Sequence, residues 1–170
     1  METDSYHEPV LVREVIEGLH IDSKARIIDA TVGTGGHTLE IVKNGAFVLG
    51  IDNDREMLKV ADSRLKKACC FKLIYGNFKD IDIIAAANGV NNIDGVLFDL
   101  GVSNLQLTSD QRGFSFGNPE ADLDMRIDVG SQGLTGADLL NALRLDQLNW
   151  MFAKVLSRFE ARKIVKEIVK

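Results

Sequence analysis

The sequence predicts a doubly wound α/β domain, and three observations carry that prediction. Short apolar runs at 25–28, 46–51, 71–74 and 96–98 alternate with stretches of helical spacing. Three of these runs lead into an acid, at Asp29, Asp52 and Asp99. The first run is followed at once by Asp29-Ala-Thr-Val-Gly33-Thr-Gly35-Gly36-His37, a glycine turn that opens a helix. Strands alternating with helices form a parallel sheet with right-handed crossovers. That topology gathers the strand C-terminal ends on one edge, where ligands bind.

The elements follow in order. Residues 9–19 place apolar side chains at 11, 12, 15, 16 and 19, and Pro9 fits a first helical turn. Ile27-Ile28 is the first strand, and a helix continues over 38–43. The run at 46–51 is apolar without alternation, as in a strand covered on both faces. Asp54 caps a helix over 55–67, with Met57, Leu58, Ala61 and Leu65 inward. A strand at 71–74, a helix at 81–87 and a strand at 96–98 complete the pattern. From 101 to 133 periodicity stops, and a loop that long is functional or disordered. It carries Phe114, Phe116, Leu123 and Met125, so it can pack. Thr135 and Asp138 read as a capping box with Asp in place of Glu. Helices are predicted over 137–143, 146–156 and 160–169.

Bulk properties exclude several classes. No apolar run reaches the roughly 18 residues of a membrane span. The acidic start, Met1-Glu-Thr-Asp4, has no targeting character, which leads to a cytoplasmic expectation. Cys69 and Cys70 are adjacent and read as buried or inert thiols in a reducing compartment. Histidine occurs only at 7, 20 and 37, with no zinc-ligand spacing, so no metal is expected. The net charge of −5 argues against a general nucleic-acid binder. Residues 154–170, however, hold six Lys/Arg against two Glu. That stretch is either a solvated basic face or an RNA-facing element.

The glycine turn exposes backbone N–H groups at a helix start, and its glycines admit a ligand close to the backbone. An acid four residues before the first glycine repels a diphosphate but suits a cationic amino-acid end. Asp29 therefore favours S-adenosylmethionine over a dinucleotide. Asp52 stands where an acid accepts hydrogen bonds from both ribose hydroxyls, although an NAD-type site wants the same acid. His37 is either a helix-start hydrogen-bonding residue or a contact to the cofactor's amino-acid end. Phe78 is either core or a flat partner for adenine. Asp99 is the candidate catalytic residue. An exocyclic base amine has its lone pair delocalised into the ring. A carboxylate drawing on its proton, with the amine held in line with a sulfonium methyl, restores reactivity. The bland alternative is an Asp that caps the next turn. Arg112 and Arg126 either hold a flipped base with its phosphates or pair internally with Asp122, Asp124 or Asp128.

These residues fall into a series of motifs. His7-Glu-Pro-Val-Leu11, the glycine turn, Gly50-Ile-Asp-Asn-Asp54, Gly76-Asn-Phe78, Asp94-Gly-Val-Leu-Phe-Asp-Leu-Gly-Val-Ser103, Gln106-Leu107, Arg112-Gly-Phe-Ser-Phe116 and Leu123-Asp-Met-Arg126 stand in that order. Together they resemble the RsmH (MraW) methyltransferases. The resemblance implies a class I, Rossmann-like methyltransferase fold with a partial parallel sheet over 1–104. A long substrate and cofactor loop would follow over 105–134, and an incomplete helical insertion over 135–170. It implies methyl transfer from S-adenosylmethionine to N4 of a cytidine in small-subunit ribosomal RNA. It also implies cofactor contacts from Gly35, Gly36, His37, Asp52, Phe78, Asp99 and Gln106. Ser103-Asn-Leu-Gln-Leu107 departs from the family's Ser-Ser-Pro-Gln-Leu, which loosens the turn presenting Gln106. Family members also continue well beyond residue 170, so the chain is expected to stop inside the insertion. The alternative is a catalytically incomplete module that binds S-adenosylmethionine without turnover. The unfinished sheet edge allows a homodimer, and a dinucleotide oxidoreductase ranks third.

Overall fold

The computed structural model describes residues 8–170. Met1–Asp4 and His7, the first residue of one matched motif, lie outside the described residues. The chain divides into two compact units, the first ending at Leu105 and the second spanning residues 106–170.

The first unit is built on four parallel strands, β1 (Arg26–Asp29), β2 (Phe47–Asp52), β3 (Phe71–Tyr75) and β4 (Gly95–Leu97). Their order is β3-β2-β1-β4, the doubly wound arrangement of a Rossmann-like sheet. Helices α1 (Val12–Gly18), α2 (Gly36–Lys43), α3 (Arg55–Leu65) and α4 (Ile81–Ala87) are the crossovers and their lead-in. One face of the sheet packs Ile27 and Val48 with Ile41, Val42, Ala61 and Leu65, with Val15, Ile16 and Leu19 of α1 beside them. The other face packs Ile28, Leu49 and Ile51 with Ala85 and Val90, bordered by Ile81 and Ile84 of α4. The unalternating apolar run of β2 follows from this double cover. Asp54 caps α3 by accepting from the Glu56 and Met57 N–H groups.

Three expectations need correcting. The first helix starts at Val12, not Pro9, because Leu11 takes a left-handed φ of 53° and Pro9 packs instead against Gly36. Helix α3 stops at Leu65, so Cys69 and Cys70 fall in the turn before β3 and are exposed rather than buried. The fourth strand lies one residue earlier than the apolar run suggested. The Asp94 carboxylate staples its start to the Arg26 N–H at 2.8 Å.

The second unit begins within α5 (Asn104–Leu107) and holds α6 (Gly136–Ala142), α7 (Leu145–Phe152) and α8 (Arg158–Ile168). The stretch between α5 and α6 has no regular element, yet it is folded on itself. Met125 N–H donates to Arg112 O, and the Gly136 and Ala137 N–H groups donate to Asp124 O and Leu123 O, each at 2.8 Å. Gly113 is required there: its φ is +68°, and a Cβ would lie 2.5 Å from Asp122 O. The capping box of Thr135 and Asp138 forms as predicted, and Ser157 with Glu160 makes another at α8. Helix α7 ends at Phe152, short of its predicted end, because the chain must turn to present the Ser157 cap. No helix among the described residues is long and apolar enough to cross a membrane.

Strand β2 is closely packed at Gly50. A Cβ on Gly50 would lie 2.5 Å from Val32 Cγ2 and 2.9 Å from Leu73 Cδ2. Val32 belongs to the glycine turn, so Gly50 lets the turn settle onto the sheet. Gly50→Ala is expected to cost about 1–3 kcal/mol of stability through overpacking. A urea midpoint equal to wild type would show instead that the turn yields freely.

Candidate cofactor site

Strand register sets the depth of each acid. Asp29 lies opposite Gly50 on one side and Leu97 on the other. Asp52 and Asp99 each come two residues after those partners, so they stand one step further out along the edge. Asp29 is accordingly 1% exposed, whereas the Asp99 side chain is 46% exposed. Asp29 Oδ2 accepts from Thr38 Oγ1 at 2.6 Å, and Oδ1 accepts from Thr31 N–H at 3.2 Å. The acid that favoured a cationic ligand end is thus turned into the protein, where it ties β1 to α2. Burial pushes its carboxyl above the usual aspartate range, opposed by the Thr38 hydrogen bond.

Asp52 anchors the turn from the next strand. Its Oδ2 accepts from Gly33 N–H at 2.7 Å and its Oδ1 from Asp54 N–H at 2.8 Å. A carboxylate has about four acceptor positions, so two remain for other donors. Burial also raises the Asp52 pKa, against the pull of the Asp54 and Gly33 N–H groups. Gly33 and Gly35 have positive φ, at +54° and +79°. At Gly35 a Cβ would also crowd Ala61 at 3.2 Å, so glycine is needed to bring the turn onto α3. The Gly35 N–H donates to Val32 O at 2.8 Å. Of the N–H groups expected to face a ligand, those of Gly33 and Gly35 are therefore already used. Gly36 is buried beneath Pro9, whose ring would lie 3.2 Å from a Gly36 Cβ. The first-turn N–H groups of α2 remain without an intrahelical acceptor.

His37 is buried at the start of α2 and links two segments. Its Nε2 lies 2.7 Å from Val10 O. A carbonyl only accepts, so Nε2 carries the hydrogen. Its Nδ1 faces Asp99 Oδ2 at 3.7 Å. Asp99 in turn donates its N–H to Thr31 Oγ1 at 2.7 Å. Phe78 begins a single 3-10 turn (Phe78–Asp80) after β3 and is half-exposed. Its ring meets Phe98 edge-on, with centroids 5.7 Å apart. The glycine turn, His37, Asp52, Phe78 and Asp99 all belong to the strand-end edge of the first unit. Gln106 is buried and belongs to the second unit.

Both arginines of the long stretch bond within the chain. Arg126 grips Asp124 through two bonds, at 2.6 and 2.8 Å, and donates to Gln132 O, which is the internal pairing. Arg112 donates to Ile127 O at 3.4 Å.

Some participants were not singled out from sequence. Thr31 holds both Asp29 and Asp99, and Thr38 satisfies the buried acid. Phe98 completes the aromatic pair with Phe78, and Arg55 lies 3.6 Å over the Tyr75 ring at the end of β3. Hydroxyls and a strand-end aromatic look like ordinary strand and helix residues in a sequence. A signal did exist for Phe98, since its neighbour Asp99 was already assigned to the edge.

A parallel β3-β2-β1-β4 sheet with a glycine turn, a second-strand acid anchoring it and exposed aromatics on the same edge defines a Rossmann-like α/β domain. The chain belongs to the MraW methylase family, whose profile matches residues 4–170. It is 37% identical over 172 residues to the ribosomal RNA small subunit methyltransferase H of Dictyoglomus thermophilum, covering 99% of this chain and 58% of that protein. Its identity to the protein of the same name from Dictyoglomus turgidum is 40%, covering 96% and 58%. For Thermotoga neapolitana the figures are 39%, 96% and 55%. The chain thus spans little more than half the length of these relatives.

The buried acid makes a pH prediction. Between the ordinary aspartate value of 3.8 and its raised value, the folded chain keeps a proton on Asp29 that the unfolded chain has lost. This contribution to stability is complete below 3.8 and is lost as pH rises through the raised value. Asp29→Asn removes the dependence. The stability of wild type relative to this variant is expected to fall with rising pH across that window, read by urea unfolding at several pH values. A difference independent of pH would show that Asp29 titrates normally.

Proposed function

We propose that this chain is the S-adenosylmethionine-binding part of an enzyme that methylates N4 of a cytidine in small-subunit ribosomal RNA. The observation that carries the reading is Asp52. Each of its oxygens holds one backbone N–H of the turn region and keeps capacity for one more donor, which suits the two hydroxyls of a ribose. The names of the family relatives support the acceptor class. When bound, S-adenosylmethionine supplies an electrophilic methyl on a sulfonium sulfur.

The chain's own residues then have distinct tasks. Gly35 and Gly36 let α2 begin close to the ligand, and His37 keeps Val10 fastened across that start. Phe78 offers a half-exposed ring to the adenine. Asp99 is the catalytic residue: its exposed carboxylate accepts the hydrogen of the base amine, and its backbone is fixed by Thr31 so that the amine is held in place. The proton leaves the nitrogen as the N–C bond forms and the C–S bond breaks. Gln106 keeps the cofactor role that the resemblance assigns.

Asp52→Ala removes two charge-assisted hydrogen bonds to ribose, each worth about 1.5 kcal/mol or more, so affinity for S-adenosylmethionine should fall roughly 100-fold or further. Calorimetry against S-adenosylmethionine and NAD measures this, and wild-type failure to bind the former would end the cofactor reading. Radiolabelled methyl transfer to undermethylated small ribosomal subunits tests the acceptor. The comparison is between this chain and a version extended to the length of its relatives. Transfer by the extended version alone would assign this chain as a binding module.

A further inference from the structure

The second unit carries a cleft that the cofactor site does not use. It occupies about 420 Å³ between α7 and α8 and is lined by Asn149, Trp150, Ala153, Lys154, Arg158 and Arg162. That volume is within the range of small-ligand pockets. Trp150 is the only tryptophan of the chain and is 66% exposed. Lys154 Nζ lies 4.2 Å from its ring centroid.

Among the described residues, the cations around the ring form no ion pair. The acids nearest in sequence are all engaged elsewhere. Asp146 pairs with Arg144 at 2.9 Å, Glu160 closes the Ser157 capping box, and Glu167 pairs with Lys170 at 2.6 Å. Among the described residues, no carboxylate lies within 4.0 Å of the Lys154, Arg158 or Arg162 cations. Arg158 and Arg162 are four residues apart on α8 and so share one helix face. An exposed indole, a cation on its face and two neighbouring guanidinium groups match what a single strand presents. It offers a flat base beside two successive phosphates. The concentration of positive charge is local, since the whole chain is net −5.

We propose that the α7–α8 cleft is a binding site for single-stranded RNA, with one base stacked on Trp150 and the flanking phosphates on Arg158 and Arg162. The site adds affinity for the nucleic acid. It rests on the reading of this chain as part of an RNA-modifying enzyme, but its test does not depend on methyl transfer.

The 170-residue chain is titrated with a fluorescein-labelled twelve-nucleotide oligoribocytidine, following anisotropy, while Trp150 emission is followed with the unlabelled strand. Quenching of Trp150 is expected, with affinity that weakens as salt rises. The slope of log K against log salt should be near −1.4, for two phosphates at about −0.7 each. Trp150→Ala should weaken binding about tenfold while leaving that slope in place. The double variant Arg158→Gln, Arg162→Gln should weaken binding and flatten the slope. Circular dichroism and calorimetry with S-adenosylmethionine show whether each variant is folded.

Three results would overturn the proposal. One is absence of quenching with S-adenosylmethionine binding intact. Another is unchanged RNA affinity in the folded variants. The third is an acidic peptide such as oligoglutamate binding the cleft more tightly than the RNA, which would make it a protein-docking face. Loss of S-adenosylmethionine binding in wild type with RNA quenching retained would remove the cofactor reading and leave this site standing.

Discussion

The carboxylate of Asp29 is the junction on which the rest of the first unit depends. It ends strand β1, and part of the strand edge is attached to it directly or through one residue. Thr38 ties it to α2, and Thr31 N–H ties it to the turn. The Thr31 hydroxyl reaches on to the backbone of Asp99. A buried carboxylate is costly unless its lone pairs are satisfied, so this position tolerates little besides the arrangement seen. The requirement accounts for the turn's shape better than the glycines do alone. They permit the path, and Asp29 with Asp52 selects it.

Much of the first unit was legible because its signals are local. The unalternating run of β2 requires cover on two faces, and Asp54 before a helical period requires a cap. The helix at 81–87 is found over the residues predicted. What could not be read was depth. Asp29, Asp52 and Asp99 look equivalent in sequence, each following an apolar run. Only the pairing of Asp29 with Gly50 and Leu97 makes one of them an interior anchor and leaves Asp99 exposed. The charge of Asp29 was therefore read as an attraction for a ligand, when its partners are two threonines of the chain itself. The start of α1 and the exposure of the cysteines escaped for a related reason. A left-handed Leu11 and a turn at Cys69-Cys70 depend on where neighbouring elements pack, which spacing does not encode.

The second unit was legible mainly at its helix boundaries, through the Thr135 and Ser157 caps. The stretch before α6 was visible only as an interruption of periodicity. Its order comes from backbone bonds between residues ten or more apart, such as Met125 to Arg112, and from Gly113 allowing two segments to touch. The same chemistry settles Arg126 as a structural partner of Asp124. That Arg158 and Arg162 form no ion pair among the described residues, by contrast, could be recognised only once each nearby acid had been assigned to a partner.

Asp52 performs two tasks with one side chain, holding Gly33 and offering its remaining acceptors at the edge. Any binding at this acid is therefore linked to the architecture of the turn. A lineage that abandoned the ligand by changing this residue would also release the turn from its strand. A substitution at Asp52 therefore alters the anchorage of the turn together with whatever the edge holds.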